Sequence, residues 1–422
     1  MRMNKFLTIL LASALLSISL GSGITALAED ETSSNAAEET SAAEASSEES
    51  SSLLTQREAP ILTLPEEYPQ QFTYDSGVDI AYPEGGVKGI YVTAYSAAGE
   101  KMNELVNFIN DTELNAMVID IKDDYGNITF DLDSDHELIQ ENTLSNGSAE
   151  DIIAQMEENQ IYPIARIVVF KDTVLANQRP DLSFKTSDGS VWQNGNGDAF
   201  VNPYSKEVWD YNIEVAKEAA KLGFKEIQFD YVRFPEGFEN LSDDLTYDIG
   251  DYGDYGDDPI GQRVAAVTDF VEYANQELSP YGVDVSVDIF GYTATIPESR
   301  GIGQNFDQIS ENVDVISSMI YPSHWGNGYF NIPTPDTDPY GTVDAYMEVE
   351  NERLAQLENP PISRPWLQDF TASYLGAGNY IPYGPAQVEA QIKALSDNGV
   401  NEYLLWDAGN TYTEGVDYTP GE

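Results

Sequence analysis

Cysteine is absent from this 422-residue chain, histidine occurs only twice, and 20 Lys and Arg stand against 73 Asp and Glu. The first absence excludes a disulfide scaffold and a lipid anchor on cysteine, and leaves any folded part to be held by its core. His136 and His324 are too few for the clustered imidazoles of a metal-dependent deacetylase or phosphodiesterase, so neither a metal nor another cofactor is expected. They also leave a serine hydrolase only His324, with no nucleophile elbow before it. No Gly-rich phosphate loop occurs. A formal charge of −53 repels nucleic acid, teichoic acid and anionic lipid heads, whereas neutral polysaccharide or a cation suits such a surface.

Apolar runs long enough to span a bilayer are lacking beyond the N-terminus, so insertion of the mature chain in a membrane is not expected. Residues 1–28 read as an export signal: Arg2 and Lys5 open it, Phe6–Leu20 is its apolar stretch, and Ala26-Leu27-Ala28 is a small-x-small cleavage site. The alternative is a retained single-span anchor. Cleavage predicts a secreted or surface-associated protein and leaves a charge of about −55, since only Arg2 and Lys5 are lost. Residues 29–58 are Ser, Ala, Glu and Thr with few bulky groups, the composition of a disordered tether. Residues 59–85 form a lead-in, in which Glu66–Asp79 is read as a β-segment capping the domain that follows.

What the chain does have, from 86 to its end, is alternation. Apolar runs ending in polar residues occur at Lys88–Tyr95, Ala116–Asp124, Tyr162–Phe170, Glu226–Pro235, Val283–Tyr292, Asp314–Trp325, Arg364–Thr371 and Asn401–Asn410. Helical stripes separate them, such as Val264, Val267, Val271, Ala274 and Leu278, or Val343, Met347, Leu354 and Leu357 broken by Glu350. Parallel neighbours need crossovers, and eight strand–helix repeats in roughly 320 residues predict a (β/α)8 barrel, expected to be monomeric. Such barrels carry chemistry at the carboxyl ends of their strands. Two insertions, Lys171–Pro203 and Glu236–Asp258, fall at that end.

Period-two alternation assigns side chains to the barrel axis. Ile227, Phe229 and Tyr231 face the helices, leaving Gln228, Asp230 and Val232 inside. Asp284, Ser286 and Asp288 point inward from the fifth strand, Val118, Asp120 and Lys122 from the second, and Ser317, Met319 and Tyr321 from the sixth. Arg166, Gln368 and Trp406 are assigned inward from the third, seventh and eighth. Asp120, Lys122, Arg166, Asp230, Asp288, Tyr321 and Gln368 therefore ring one mouth. Any one Asp is equally accounted for by an ion pair with Lys122, Arg166 or Arg233. Asp230 and Asp288, on adjacent strands, form the pair that glycoside hydrolysis requires: one acid to protonate the leaving oxygen and one carboxylate to attack or to activate water.

Lys88-Gly-Ile-Tyr-Val-Thr, Val118-Ile-Asp-Ile-Lys-Asp-Asp, Val201-Asn-Pro-Tyr, Gln228-Phe-Asp-Tyr-Val-Arg-Phe-Pro, Met319-Ile-Tyr-Pro-Ser-His and Arg364-Pro-Trp-Leu-Gln-Asp-Phe resemble the glycosyl hydrolase domain of uncharacterised bacterial surface proteins. The similarity runs from about Gly86 to Asn410 and extends distantly to the α-amylases. It implies that Asp230 holds the nucleophile position, Asp288 the acid position with Asp in place of Glu, and Asp369 the third acid. The amylase Arg two residues before the nucleophile is Gln228 here, and Arg233 lies three after it. The resembling motifs add Asn202, Tyr231, Arg233, Tyr321 and His324 as substrate contacts.

Trp192, Trp325, Trp366 and Trp406 fall at strand ends or loops, where an aromatic face can stack on a sugar; ordinary packing accounts equally for Trp366 and Trp406. Trp325, next to His324, is the expected substrate platform. The acidic run Tyr247–Asp258 reads as a solvated lid, with Ca²⁺ binding as its alternative. The function expected is hydrolysis of a polysaccharide or wall-associated glycan. A non-catalytic carbohydrate-binding barrel is the competing reading.

Overall fold

The computed structural model describes residues 73–256 and 258–419. The export signal, the tether and the lead-in up to residue 72 lie outside the described residues, as does Asp257 of the acidic run.

The strands are β1 (Lys88–Val92), β2 (Ala116–Lys122), β3 (Tyr162–Val168), β4 (Glu226–Asp230), β5 (Asp284–Phe290), β6 (Val315–Met319), β7 (Ile362–Ser363), β8 (Trp366–Gln368) and β9 (Tyr403–Trp406). They pair in the order β5-β4-β3-β2-β1-β9-β8-β6-β7, and β5 also pairs with β6, closing the sheet. All pairings are parallel. β7 and β8 are one stave interrupted at Arg364 and Pro365, where proline has no N–H to give to the ladder. The result is a closed eight-stave barrel; seven staves lie inside the runs read from the sequence, and the seventh stave starts at Ile362, two residues before its run Arg364–Thr371.

Helices cover the barrel as the stripes require. Phe270, on the helix Pro259–Leu278, packs edge-on against Phe229 of β4 at 5.5 Å between ring centres. Ser148 Oγ accepts from Asp151 N at 3.0 Å, capping the helix Ala149–Glu158. Glu350, the break in its stripe, is fully buried and accepts from Ser318 Oγ, Tyr346 OH and Ser363 Oγ at 2.7, 2.7 and 2.5 Å. It ties its helix to the outer face of β6 and to β7.

The amino end of the barrel is sealed by charge. Arg364 and Glu226 are both fully buried and 2.5 Å apart, and Arg364 Nε lies 2.8 Å from Glu402. Residues 73–82 cross this end through Tyr74 N to Pro280 O at 2.8 Å and Tyr82 OH to Glu402 at 2.7 Å. They carry no strand, so the expected capping β-segment is replaced by irregular chain among the described residues. Arg364→Ala would leave Glu226 buried without its cation, and breaking such a pair costs about 3–5 kcal/mol. Urea unfolding should read that loss. An unchanged midpoint would mean that solvent already reaches Glu226.

Candidate active site

The acids at the opposite mouth follow from strand register. Asp120 on β2 lies beside Arg166 on β3, and Arg166 beside Gln228 on β4. Gln228 and Phe229 lie opposite Ser286 and Val287, so continuing the register sets Asp230 opposite Asp288. Gln228 Nε2 donates across the axis to Ser317 Oγ at 3.3 Å, in the layer below the two acids.

Arg166 is the hub. Its Nη1 donates to Asp120 at 2.7 Å, Nη2 to Asp124 at 2.8 Å, and Nε and Nη2 to Asp230 Oδ2 at 3.0 and 2.6 Å. The Tyr231 N–H donates to the other Asp230 oxygen at 2.6 Å. Asp288 has no such cation. Its Oδ1 accepts from Trp366 Nε1 at 2.7 Å. Burial, reinforced by the neighbouring Asp230, pushes the Asp288 carboxyl well above the usual carboxylate range. Burial also lifts Asp120, to about 6, against the pull of Arg166. For Asp124 the balance reverses: Arg166 and Lys171 outweigh burial and hold it below its ordinary value.

Arg166, Asp124, Asp230 and Asp288 line a cavity of about 500 Å³ that includes Tyr231, Arg233, Tyr321, His324, Trp325 and Trp406, whereas Asp120, expected at the mouth as a substrate contact, lies outside its lining and is held by Arg166. Trp406 stacks on Tyr91 at 4.1 Å, and the Tyr91 hydroxyl donates to Asp120 at 2.6 Å. Tyr321 is buried with its hydroxyl proton held far above its usual range, first by burial and then by Asp288 and Asp230. Trp325 reaches the cavity edge, but Tyr329 and Phe330 pack on it at 4.8 and 4.9 Å and it is 8% exposed. It is a wall more than the open platform expected. Gly291 allows this approach, since a Cβ there would sit 3.0 Å from the Trp325 ring and 2.7 Å from the Met319 carbonyl.

Five further expectations change. Lys122 faces away from the mouth: a register shift between Asp120 and Lys122 turns its side chain to Asp172 at 2.7 Å and to Asn212 of the helix Lys206–Leu222 at 2.9 Å. Tyr231, assigned to the helix side, has φ 53° and turns into the cavity instead. A bulky residue held there costs about 1–3 kcal/mol, strain of the kind that gathers at functional sites. Gln368 is fully buried behind the cavity, where it accepts from Ser323 N at 3.0 Å and donates to Asp336 at 2.9 Å. Asp369 binds Thr413 N and Oγ1 at 3.0 and 2.5 Å, so the third acid implied by the amylase likeness holds a loop. Asn202 likewise sits outside the cavity, donating to Asp248 O at 2.6 Å.

Tyr91 sits within the apolar run of β1 with no polar residue beside it to mark it, and it joins the site only through its hydroxyl on Asp120. Asp124 and Lys171 follow the ends of β2 and β3 and gave no periodic signal. Among the described residues no group of three or more His, Asp or Glu is placed to hold a metal ion, and no helix is long and apolar enough to cross a membrane.

A closed parallel barrel with a carboxylate-lined cavity at the carboxyl ends of its strands puts the protein in the class of (β/α)8 barrels, with the cavity where such barrels carry their chemistry. Residues 89–412 match the family described as "Putative glycosyl hydrolase domain", and the chain belongs to that family. A hypothetical protein from Ruminiclostridium thermocellum is 32% identical over 47% of this chain and 96% of its own, with a TM-score of 0.41. The PgaB (BpsB) glycoside hydrolase domain from Bordetella bronchiseptica is 14% identical over 79% of this chain and 94% of its own, with a TM-score of 0.54, a likeness of fold. An alpha-amylase from Lactobacillus plantarum is 14% identical over 76% and 71%, with a TM-score of 0.46. No curated protein matches the chain.

Proposed function

We propose that the protein hydrolyses glycosidic bonds of a polysaccharide or wall-associated glycan, with Asp288 as general acid and Asp230 as its partner carboxylate. The observation that carries this reading is the contrast between two neighbouring acids. Asp230 faces the Arg166 guanidinium. Asp288 is buried, lacks a cation and is pushed toward its protonated form by Asp230. A carboxyl that burial and a neighbouring acid hold protonated, beside a carboxylate paired with a guanidinium, assigns acid and partner.

An indole N–H only donates, so the Asp288 oxygen bound to Trp366 accepts and the other oxygen carries the proton. That proton passes to the glycosidic oxygen as the C–O bond breaks. Asp230 then takes the anomeric carbon as a glycosyl ester, and water, deprotonated by Asp288, releases the sugar. Adjacent strands lie about 4.8 Å apart, which favours the short carboxyl separation of a retaining enzyme over the wider inverting one. Tyr231, Arg233, Tyr321, His324, Trp325 and Trp406 are the sugar contacts in this reading.

The test is a glycan-hydrolysis screen of wild type beside Asp230→Asn. Turnover in wild type alone supports the assignment. Glycan binding without turnover in either protein would favour the carbohydrate-binding barrel. The sign of the pH dependence follows from Asp288: kcat/KM is held while that carboxyl keeps its proton and falls as pH rises through its raised pKa. The alkaline limb should therefore lie above the ordinary carboxylate range, and a pH–rate profile checks it. Export by residues 1–28 would place this activity outside the membrane, which fractionation of cells expressing the full chain would test.

A further inference from the structure

The catalytic cavity continues beyond Tyr231. A second hollow of about 250 Å³ opens in the Lys171–Pro203 insertion, and both hollows are lined by Tyr231, Arg233 and Glu236. Tyr231 is the partition, its left-handed backbone fixing the ring with Lys171 Nζ 4.8 Å and the Arg233 guanidinium 4.8 Å from its centre. Arg233 is more than nine-tenths buried.

The far side of the hollow is a built loop. Bridges between Lys185 and Val191 and between Gln193 and Ala199 flank Trp192, whose backbone N–H donates to Phe184 O at 2.8 Å. Phe200 backs its indole at 6.5 Å. Asn194 closes the turn by donating to Asp198 at 3.0 Å, which leaves Asn196 exposed at the rim. Asn196 N donates to Asn194 Oδ1 at 2.9 Å, but neither the Trp192 indole N–H nor the Asn196 side-chain amide has a hydrogen-bond partner among the described residues. Lys171 Nζ stands 4.0 Å from Asp198 and Arg233 Nη2 3.4 Å from Glu236, so the two cations and two carboxylates that line the hollow balance locally.

Resting on the hydrolase reading, we propose that this hollow is a second sugar-binding subsite, taking a neutral hexose unit of the same glycan whose bond is cleaved between Asp230 and Asp288. A hexose presents an apolar face and a rim of hydroxyls. An indole beside an unpartnered side-chain amide and beside ammonium and carboxylate heads meets both, whereas an acidic sugar would face Asp198 and Glu236. The substrate is then a chain spanning the Tyr231 partition, and the enzyme discriminates by length.

The experiment compares wild type, Trp192→Ala, Trp192→Phe and Asn196→Ala on ladders of neutral-hexose oligosaccharides, from the disaccharide upward. The readout is the ratio of kcat/KM on the longest member to that on the shortest member cleaved. Trp192→Ala should lower that ratio about tenfold, the scale of one aromatic stacking contact. Trp192→Phe should restore part of it, and Asn196→Ala, on an exposed turn, should lower it without touching the fold. A ratio equal to wild type in both alanine variants overturns the subsite. If wild type cleaves no glycan, the hydrolase reading falls. The subsite is then judged by ladder binding: it stands if affinity grows with length in wild type and not in Trp192→Ala, and falls otherwise.

Discussion

Asp288→Asn is expected to lower kcat/KM on natural glycans by about 10²–10⁴-fold, the usual contribution of a positioned proton donor. The substitution keeps the oxygen that accepts from Trp366, so the fold should persist and the loss should report chemistry. Its size should depend on the leaving group. An aryl glycoside whose phenolate departs unaided needs little protonation, so most of the deficit should vanish on it. The alkaline limb of the pH profile should vanish too, because the group that titrates there is gone. Asp230→Asn should behave differently: without the attacking carboxylate, turnover falls on activated and natural substrates alike. Measuring kcat/KM, which reports formation of the glycosyl ester and not its hydrolysis, for both variants on an aryl glycoside and on the natural glycan separates the roles. Equal losses on both substrates in both variants would remove the distinction between acid and nucleophile.

The barrel was legible because its signal is local and periodic. Apolar alternation places Gln228, Asp230, Ser286, Asp288, Ser317 and Met319 on the axis; Gln228 is bonded to Ser317, and the register that pairs Phe229 with Val287 carries on to set Asp230 opposite Asp288. Period two fails wherever the backbone leaves the extended conformation. The register shift after Asp120 rotates Lys122 to the helices, and the positive φ of Tyr231 sends its ring into the cavity. Neither residue announces this, since any Lys or Tyr continues the pattern equally well. Contacts between distant segments leave no period at all. Trp366 reaches Asp288 from 78 positions away, and Asp369 is drawn to Thr413 by a C-terminal loop whose course the sequence does not encode locally. Glu350 appeared as a flaw in an apolar stripe, but three hydroxyl donors make it a buried junction.

Arg166→Met is expected to be the most damaging single change at the mouth, in stability as well as in turnover. One guanidinium, 1% exposed, serves Asp120, Asp124 and Asp230. Lys171, 3.4 Å from Asp124, still reaches one of them after the change, leaving Asp120 and Asp230 buried without a cation. Removing one partner of a buried pair costs about 3–5 kcal/mol, and here one removal strips two acids together. The cost depends on pH with a definite sign. Loss of the cation raises the folded-state pKa of the stranded acids. Stability is then fully present below their unfolded values and is lost as pH rises through the raised folded ones. Wild type already leans this way, because Asp120 is lifted to about 6 and Asp284, at the opposite end of the barrel, to about 7, each chiefly by burial. Urea unfolding at about pH 5 and about pH 8 should therefore show the variant closer to wild type at the lower pH. Arg166→Lys should recover only part of the loss, because an ammonium cannot hold three carboxylates in the plane of a guanidinium fork. A gap between Arg166→Met and wild type that is constant across pH would mean that packing against the stacked Tyr91 and Trp406 rings, each 5.7 Å from the guanidinium, outweighs charge at this site.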